Sequence, residues 1–349
     1  MILKIGKALI GDNKKSFIIA EMSGNHNYSI NQAMKIILAA KNCGANAIKL
    51  QTYTADTITI KSNKKDFQIP KKSPWKNKKN LWSLYNYAHT PWSWHKKLFN
   101  YAKKIGIEIF STPFDETAVD FLEKLNCKAY KIASSEINHI PLIKKVAKTK
   151  KPIFLSTGLA SFKDIDLAIK TLRQKKVKKI ILFLCKSNYP AEIKEHNLTL
   201  IKTFKKKYKV IVGLSDHTIG NALAISSLTL GARVFEKHFK INKQKKSVDS
   251  FFSQNEEQFK KYILDIRQTE EALKKGKENN LDGFKNMRSI YVKKRINKDE
   301  KISINNIKVA RPGLSLHPKY FSKIIGLRIK KNLNIGDRVL PRDIKDFKK

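Results

Sequence analysis

Cysteine is scarce in this chain: Cys43, Cys127 and Cys185 are the only three in 349 residues. They are odd in number, far apart and without a Cys-x-x-Cys pair, which excludes a disulfide framework and fits reduced thiols in a cytoplasmic protein. Long apolar runs are also missing. None reaches the roughly 20 residues that span a bilayer, and Met1-Ile2-Leu3-Lys4 lacks the apolar stretch of a signal peptide, so no membrane partner is expected. Acidic residues are few: 29 against 72 basic ones leave a formal charge of +43. Taken alone, that charge suggests nucleic-acid binding. The lysines, however, are spread over helix faces, loops and both ends, together with abundant asparagine and isoleucine, as expected when an A- and T-rich genome biases codon use. Charge speaks to association rather than fold, and no nucleic-acid partner is expected.

With 41% hydrophobic residues over 349 positions, the chain can bury a substantial core and is too long for one ordinary domain. Its apolar, β-branched stretches share one grammar: each ends on a polar or charged residue. Phe17 to Ala20 ends at Glu21, and Ala47-Ile48 leads to Lys49 and Gln51. Ile107 to Phe110 ends at Ser111 and Thr112, Ala129 to Ala133 at Ser134 and Glu136, and Ile153 to Leu155 at Ser156 and Thr157. Ile180 to Leu184 ends at Cys185, Ser187 and Tyr189. Val210 to Ser215 is followed by His217, and Ala232 to Glu236 by His238. Helical patterns separate most of them: Ile30 to Cys43, Pro91 to Ile105 after Thr90 as N-cap, Glu116 to Leu125, Phe162 to Leu172 after a Ser161-x-x-Asp164 capping box, and Ile219 to Leu230 closed by Gly231. Eight strand-helix alternations over roughly 270 residues predict a (β/α)8 TIM barrel, whose active site lies where the strands end.

The barrel domain is expected over residues 1–275, with a polar, glycine-bracketed linker at 276–286 and a small domain at 287–349. In the latter, Ser289 to Val292, Lys308 to Gly313 and Val339-Leu340 read as short strands, with Leu327, Ile329 and Leu333 inside. A long polar insertion, Thr54 to Thr90, follows the second strand. The four tryptophans, Trp75, Trp82, Trp92 and Trp94, fall at or just beyond its end. Packing against the following helix is the favoured role for them, and a substrate lid the other.

His217 and His238 stand at corresponding strand ends, one of them beside Asp216, which makes them a candidate divalent-metal site. Two protein ligands leave such a site open, unlike a closed structural zinc site. His26, His89, His95, His139, His196 and His317 lack this pairing and read as structural or surface residues.

These residues occur in motifs that together resemble the sialic acid synthase family. The motifs are Glu21 followed by Gly24-Asn25-His26, Lys49-Leu50-Gln51, Phe110 to Asp115, Lys131 to Ser134, Leu155 to Gly158, Gly213 to Thr218, Glu236 to Phe239 and Arg311-Pro312-Gly313. Glu21 to Asn27, Tyr87 to Trp92 and Val248-Asp249-Ser250 most resemble the pseudaminic acid synthase branch. The C-terminal segment resembles the family's antifreeze-like (SAF) domain. Lys186, where the family usually has threonine, and Ser135 and Ile137 around Glu136 depart from the pattern.

The resemblance implies condensation of phosphoenolpyruvate with 2,4-diacetamido-2,4,6-trideoxy-L-altrose and water, giving pseudaminic acid and phosphate. It assigns Lys49, Thr112, Lys131, Ser134, Ser156, Ser187 and Ser215 to phosphoenolpyruvate, a compact anion that calls for cations and hydroxyl donors. It assigns Glu21, Tyr189, Asp249 and Arg311 to the acetamido sugar, with Glu136 and Glu21 as the catalytic carboxylates. Manganese, with magnesium or cobalt as substitutes, would sit on His217 and His238 as a Lewis acid. A domain-swapped homodimer is implied too, with Arg311 serving the partner's barrel. Competing readings are N-acetylneuraminate or legionaminate synthesis from another acetamido sugar, a Schiff-base aldolase using Lys131, and a nucleic-acid- or ice-binding protein.

Overall fold

All eight strand-like stretches join one closed parallel barrel, with β-branched and aromatic residues buried along their lengths. The computed structural model describes residues 2–274 and 285–348. The chain forms two units, one running to Lys274 and one from Lys275 onwards. Of the expected linker at 276–286, residues 276–284 lie outside the described residues.

A short antiparallel hairpin, β1 (Ile2–Ile5) and β2 (Ala8–Gly11), precedes the barrel. The barrel strands are β3 (Phe17–Glu21), β4 (Ala47–Thr52), β5 (Glu108–Pro113), β6 (Tyr130–Ile132), β7 (Ile153–Ser156), β8 (Ile180–Cys185), β9 (Ile211–Asp216) and β10 (Val234–His238), with β10 closing on β3. Several outrun their apolar stretches. β10, expected to stop at Glu236, continues through His238, because Lys237 pairs with Asp216 on one side and His238 with Glu21 on the other. The ladder needs only backbone groups, so polar residues extend it into the mouth.

The helices are α1 (Ile30–Asn42), α2 (Ala55–Ile58), α3 (Leu81–Ala88), α4 (Trp92–Ile105), α5 (Glu116–Lys124), α6 (Ile140–Lys148), α7 (Phe162–Gln174), α8 (Leu200–Tyr208), α9 (Ala222–Thr229) and α10 (Glu256–Ala272). Ser161 and Asp164 form the expected capping box of α7. Thr90 does not cap α4: Pro91 occupies that position, and the Thr90 hydroxyl instead meets His26 Nε2 at 3.2 Å. α9 starts three residues later than expected, because Lys237 Nζ holds the carbonyls of Thr218 and Gly220 in a loop.

In the second unit β11 (Ser289–Val292) pairs antiparallel with β12 (Ile307–Ala310), and α11 (Phe321–Ile324) follows. Ile329 and Leu333 are buried there, whereas Leu327 only packs against that core from its edge. Val339 is buried but outside any strand; its carbonyl accepts from Leu316 N at 3.0 Å.

The barrel interior below the mouth is filled by phenylalanines. Phe110 stacks on Phe154 at 5.0 Å and Phe154 on Phe183 at 5.7 Å. Gly213 opposite them leaves room. A Cβ there would lie 2.5 Å from the Val234 carbonyl oxygen and 2.7 Å from the Phe183 ring. Because one clashing atom is backbone, Gly213→Ala is expected to cost about 1–3 kcal/mol. Urea unfolding followed by circular dichroism will measure the loss, and a midpoint equal to the native one would show that the layer yields.

Candidate active site

Strand alternation aims every second side chain at the barrel axis, so residues two apart on neighbouring strands converge at the mouth. Four buried charges meet there. Lys49 Nζ lies 2.6 Å from Glu21 Oε2 and 3.9 Å from Glu236 Oε2, while Lys131 Nζ lies 2.9 Å from Glu236 Oε1. Ser215 Oγ donates to Glu236 Oε1 at 3.0 Å, and Lys49 Nζ donates to Thr112 Oγ1 at 3.1 Å. Burial works to raise Glu236, yet Lys131, Lys49 and these hydrogen bonds outweigh it and hold the carboxyl at about 2. Burial lowers Lys131 despite Glu236. For Glu21, burial raises the carboxyl against the pull of Lys49.

A cavity of about 240 Å³ opens above these groups. Its lining brings together Glu21, Lys49, Thr112, Lys131, Ser134, Ser156, Ser187, Tyr189, Ser215, His217 and His238, eleven of the residues that the sequence pointed to. One wall is a crowd of small donors. Gly158 N donates to Ser134 Oγ at 3.0 Å, and a Cβ on Gly158 would fall within 2.9 Å of Ser134 Oγ and 2.5 Å of Ser187 Oγ. Ser187 Oγ is buried with no partner. Such hydroxyls suit an anion.

The two histidines close the other side, with ring centroids 5.4 Å apart. His217 Nδ1 faces the Lys186 carbonyl at 2.5 Å. A carbonyl only accepts, so Nδ1 carries the proton and Nε2 keeps a free lone pair. Burial lowers His217 to about 4 and His238 well below the usual range, so both rings are neutral. Nδ1 of His238 is buried and unpartnered. Two neutral imidazoles, one oriented through its second nitrogen, fit a divalent metal with open positions. Among the described residues no cluster of three or more His, Cys, Asp or Glu offers a closed metal cage.

A second cavity of about 390 Å³ adjoins the first, sharing Gln51, Phe114, Tyr189 and His238. Asp249 lies in its wall, accepting from Ser23 Oγ at 2.5 Å and Gly24 N at 3.3 Å. The insertion supplies much of the remaining wall. Trp75 Nε1 donates to the Val248 carbonyl at 2.9 Å, and its ring lies 5.9 Å from Tyr189. Trp82 is tied to Asp56 at 2.7 Å, Trp92 stacks on Phe121 at 4.7 Å, and Trp94 lies 5.5 Å from His26. Trp92 and Trp94 thus belong to the following helix and pack outward from it, Trp82 is held by its hydrogen bond within the insertion, and Trp75 borders the cavity.

Glu136 is buried but lines neither cavity. It accepts from Ser135 Oγ at 2.8 Å, and burial raises it to about 7. Arg311 lies in the second unit and is exposed. Glu236 and Gln51 are site residues that the sequence motifs contained but to which sequence reasoning gave no role. The signal for Glu236 was its two-residue spacing from His238, which puts both on one face of β10. Gln51 bears the same relation to Lys49 on β4, and its Nε2 donates to Glu21 Oε1 at 3.1 Å. His95 and His26 hold structural bonds, His95 to Thr52 Oγ1 at 2.9 Å and His26 through Nδ1 to Tyr28 N at 3.1 Å.

Residues 36–278 match the model of the NeuB family, and residues 287–345 match the SAF domain. Pseudaminic acid synthase from Campylobacter jejuni is 41% identical over 95% of this chain and 97% of its own length. The Helicobacter pylori pseudaminic acid synthase is 41% identical over 94% and 97%. The crystal structure of the Bacillus subtilis spore coat polysaccharide biosynthesis protein SpsE superposes with a TM-score of 0.68 at 30% identity, covering 100% of both chains.

Proposed function

The chain belongs to the NeuB family, and from that premise we propose that it is a pseudaminic acid synthase. It joins phosphoenolpyruvate to 2,4-diacetamido-2,4,6-trideoxy-L-altrose with water and releases pseudaminic acid and phosphate. One observation carries the reading: two buried lysines share a 240 Å³ cavity with a cluster of hydroxyls and two neutral histidines. Relatives acting on other sugars, a Schiff-base aldolase and nucleic-acid or ice binding are not favoured beside 41% identity to pseudaminic acid synthases over almost the whole chain.

Phosphoenolpyruvate binds through Lys49, Lys131, Thr112, Ser134, Ser156, Ser187 and Ser215, its phosphate and carboxylate competing with Glu21 and Glu236 for the two ammonium groups. The sugar lies in the second cavity, its hydroxyl and amide N–H groups donating to Glu21 and Asp249 and its oxygens accepting from the Tyr189 hydroxyl. His217 and His238 would hold a divalent metal, manganese with magnesium or cobalt as substitutes, which would supply Lewis acidity toward the sugar aldehyde. The enol C=C pair forms the new bond to the aldehyde carbon as the aldehyde C=O π pair moves onto oxygen, which takes up a proton; water adds to the cation left on the adjacent carbon and gives up a proton, and the C–O bond to phosphate then breaks to leave the ketone. Ser135 Oγ, which lines both cavities, contacts that water and takes up its proton while passing its own to Glu136, 2.8 Å away.

The enzyme works in the cytoplasm, a reading supported by three free cysteines and by the lack, among the described residues, of any helix long and apolar enough to cross a membrane. It is a domain-swapped homodimer in which Arg311 reaches the partner's sugar. The support is the family resemblance and the lack of any arginine among the residues lining either cavity.

Phosphate release from phosphoenolpyruvate, assayed with a panel of acetamido sugars, tests the function. The trideoxy altrose sugar is expected to give at least about tenfold higher kcat/KM than N-acetylmannosamine, the scale of a few pocket contacts. His217→Ala or His238→Ala should abolish metal-stimulated release with circular dichroism unchanged. Release with no acetamido sugar would refute the synthase reading.

Glu136, raised to about 7, is ionised only above that pH, so a base role makes turnover rise as pH passes through about 7. Glu136→Gln should remove that inflection; a profile that keeps it would assign the base elsewhere.

Subunits bearing His217→Ala, mixed with subunits bearing Arg311→Ala, should regain activity, because one site of each mixed dimer then carries neither lesion. Mixed dimers as inactive as their parents would exclude the swap.

A further inference from the structure

The second cavity differs from the first in a way that the function above does not use. The chain has 72 lysines and arginines, yet among the described residues none lines it. Its one carboxylate is Asp249, already engaged by Ser23 and Gly24. The share of the lining that belongs to the insertion is mostly apolar, with Ile58, Ile69, Pro70, Leu81 and Leu84 beside Ser73 and Tyr85, and Phe114 and Phe252 add to it. This wall is built, because α2 and α3 pack together, Tyr53 meets Phe114 at 5.0 Å and Tyr85 at 5.9 Å, and Trp75 latches the segment to Val248.

Geometry orders the ligands. Both cavities meet at His238 and Tyr189, beside His217, where the aldehyde carbon must react. The anion occupies the lysine end, so the carbons of the sugar remote from the aldehyde extend toward the insertion. A hydroxyl there would lose water and gain no charged partner, whereas a methyl group would gain apolar contact.

Resting on the synthase reading, we propose that Ile58, Ile69, Leu81 and Leu84 form a specificity wall. The wall selects 6-deoxy sugars by burying the C6 methyl and the methyl of the distal acetamido group. The insertion is thus the part of the barrel that separates methyl-bearing sugars from sugars with a hydroxylated tail.

The test compares 2,4-diacetamido-2,4,6-trideoxy-L-altrose with its 6-hydroxy counterpart on the full-length enzyme, using native protein, Ile69→Asn, Leu81→Asn and the conservative Ile69→Leu. Both target residues are only half-buried, which limits damage to folding. Native enzyme should prefer the 6-deoxy sugar by about 100-fold in kcat/KM, the discrimination an apolar pocket achieves against an added hydroxyl. Each asparagine variant should cut that preference to about tenfold or less by raising KM for the 6-deoxy sugar, with KM for phosphoenolpyruvate within about twofold of native. Ile69→Leu should retain it. Preference unchanged in both asparagine variants, or native enzyme that uses the two sugars equally, would overturn the wall while leaving the synthase intact. Native enzyme that releases phosphate with neither sugar would overturn the function and the wall together. If an asparagine variant fails to fold, Ile58→Thr, which keeps a β-branched shape, decides by the same ratio.

Discussion

The structure turns on one constraint: four charges, Glu21, Lys49, Glu236 and Lys131, are buried together at the mouth of the barrel. Desolvating any one of them alone would cost several kcal/mol, and removing one partner typically costs about 3–5 kcal/mol. They are tolerable only as a set. The set exists only if β10 closes onto β3 with His238 opposite Glu21 and if β4 sits with Lys49 beside Glu21. Barrel closure and site chemistry are therefore one condition. The quartet is electrically neutral, so it holds two ammonium groups ready in the absence of an anion without leaving uncompensated charge in the interior.

Around that centre the mouth is divided by polarity. Hydroxyls on the ends of β7 and β9 and in the loops after β6 and β8 crowd one side, while aromatic rings crowd the other, with Phe252 4.6 Å from His238 and Tyr189 4.4 Å from His217. The apolar collar lowers the local dielectric, which strengthens every charge interaction at its edge and keeps both imidazoles neutral. The net charge of +43 plays little part in this. Most of the lysines are on the outside, and the two in the cavity are matched by carboxylates.

Much of this was legible in the sequence because barrel strands announce themselves twice, by a β-branched run and by the polar residue that ends it. That grammar gave the eight strands, the histidine pair, Lys49 and the serine cluster, whereas Lys131, inside its strand, came from the family motif. It failed where polarity and structure part company. Glu236 looked like a strand terminus because hydrophobicity stops there, although backbone pairing carries β10 two residues further. The start of α9 was misjudged because the bonds that hold Thr218 and Gly220 in a loop come from Lys237, on another strand. Helices α2 and α3 were invisible in a polar insertion, since α2 is a single turn fixed by a Thr54–Thr57 capping box and α3 shows just one fully buried residue, Leu84. Glu136, placed at the site by the resemblance, is set back by a 3-10 turn over Ser134–Glu136, and Ser135 lines the cavity instead.

Lys237 and Asp216 lie back to back with the histidines, joined at 2.8 Å and almost fully buried. Lys237 also grips the Thr218 and Gly220 carbonyls, and Asp216 Oδ1 accepts from Thr218 N at 2.9 Å. The loop after His217 can therefore open only by stripping an ion pair and several hydrogen bonds at once, an excursion close to global unfolding in cost. The insertion after β4 is anchored to the barrel rim by far fewer polar bonds, among them Trp75 to Val248. The mouth thus has a wall that cannot breathe and a wall that can. Amide exchange should accordingly be slower behind the histidines than among residues 59–80.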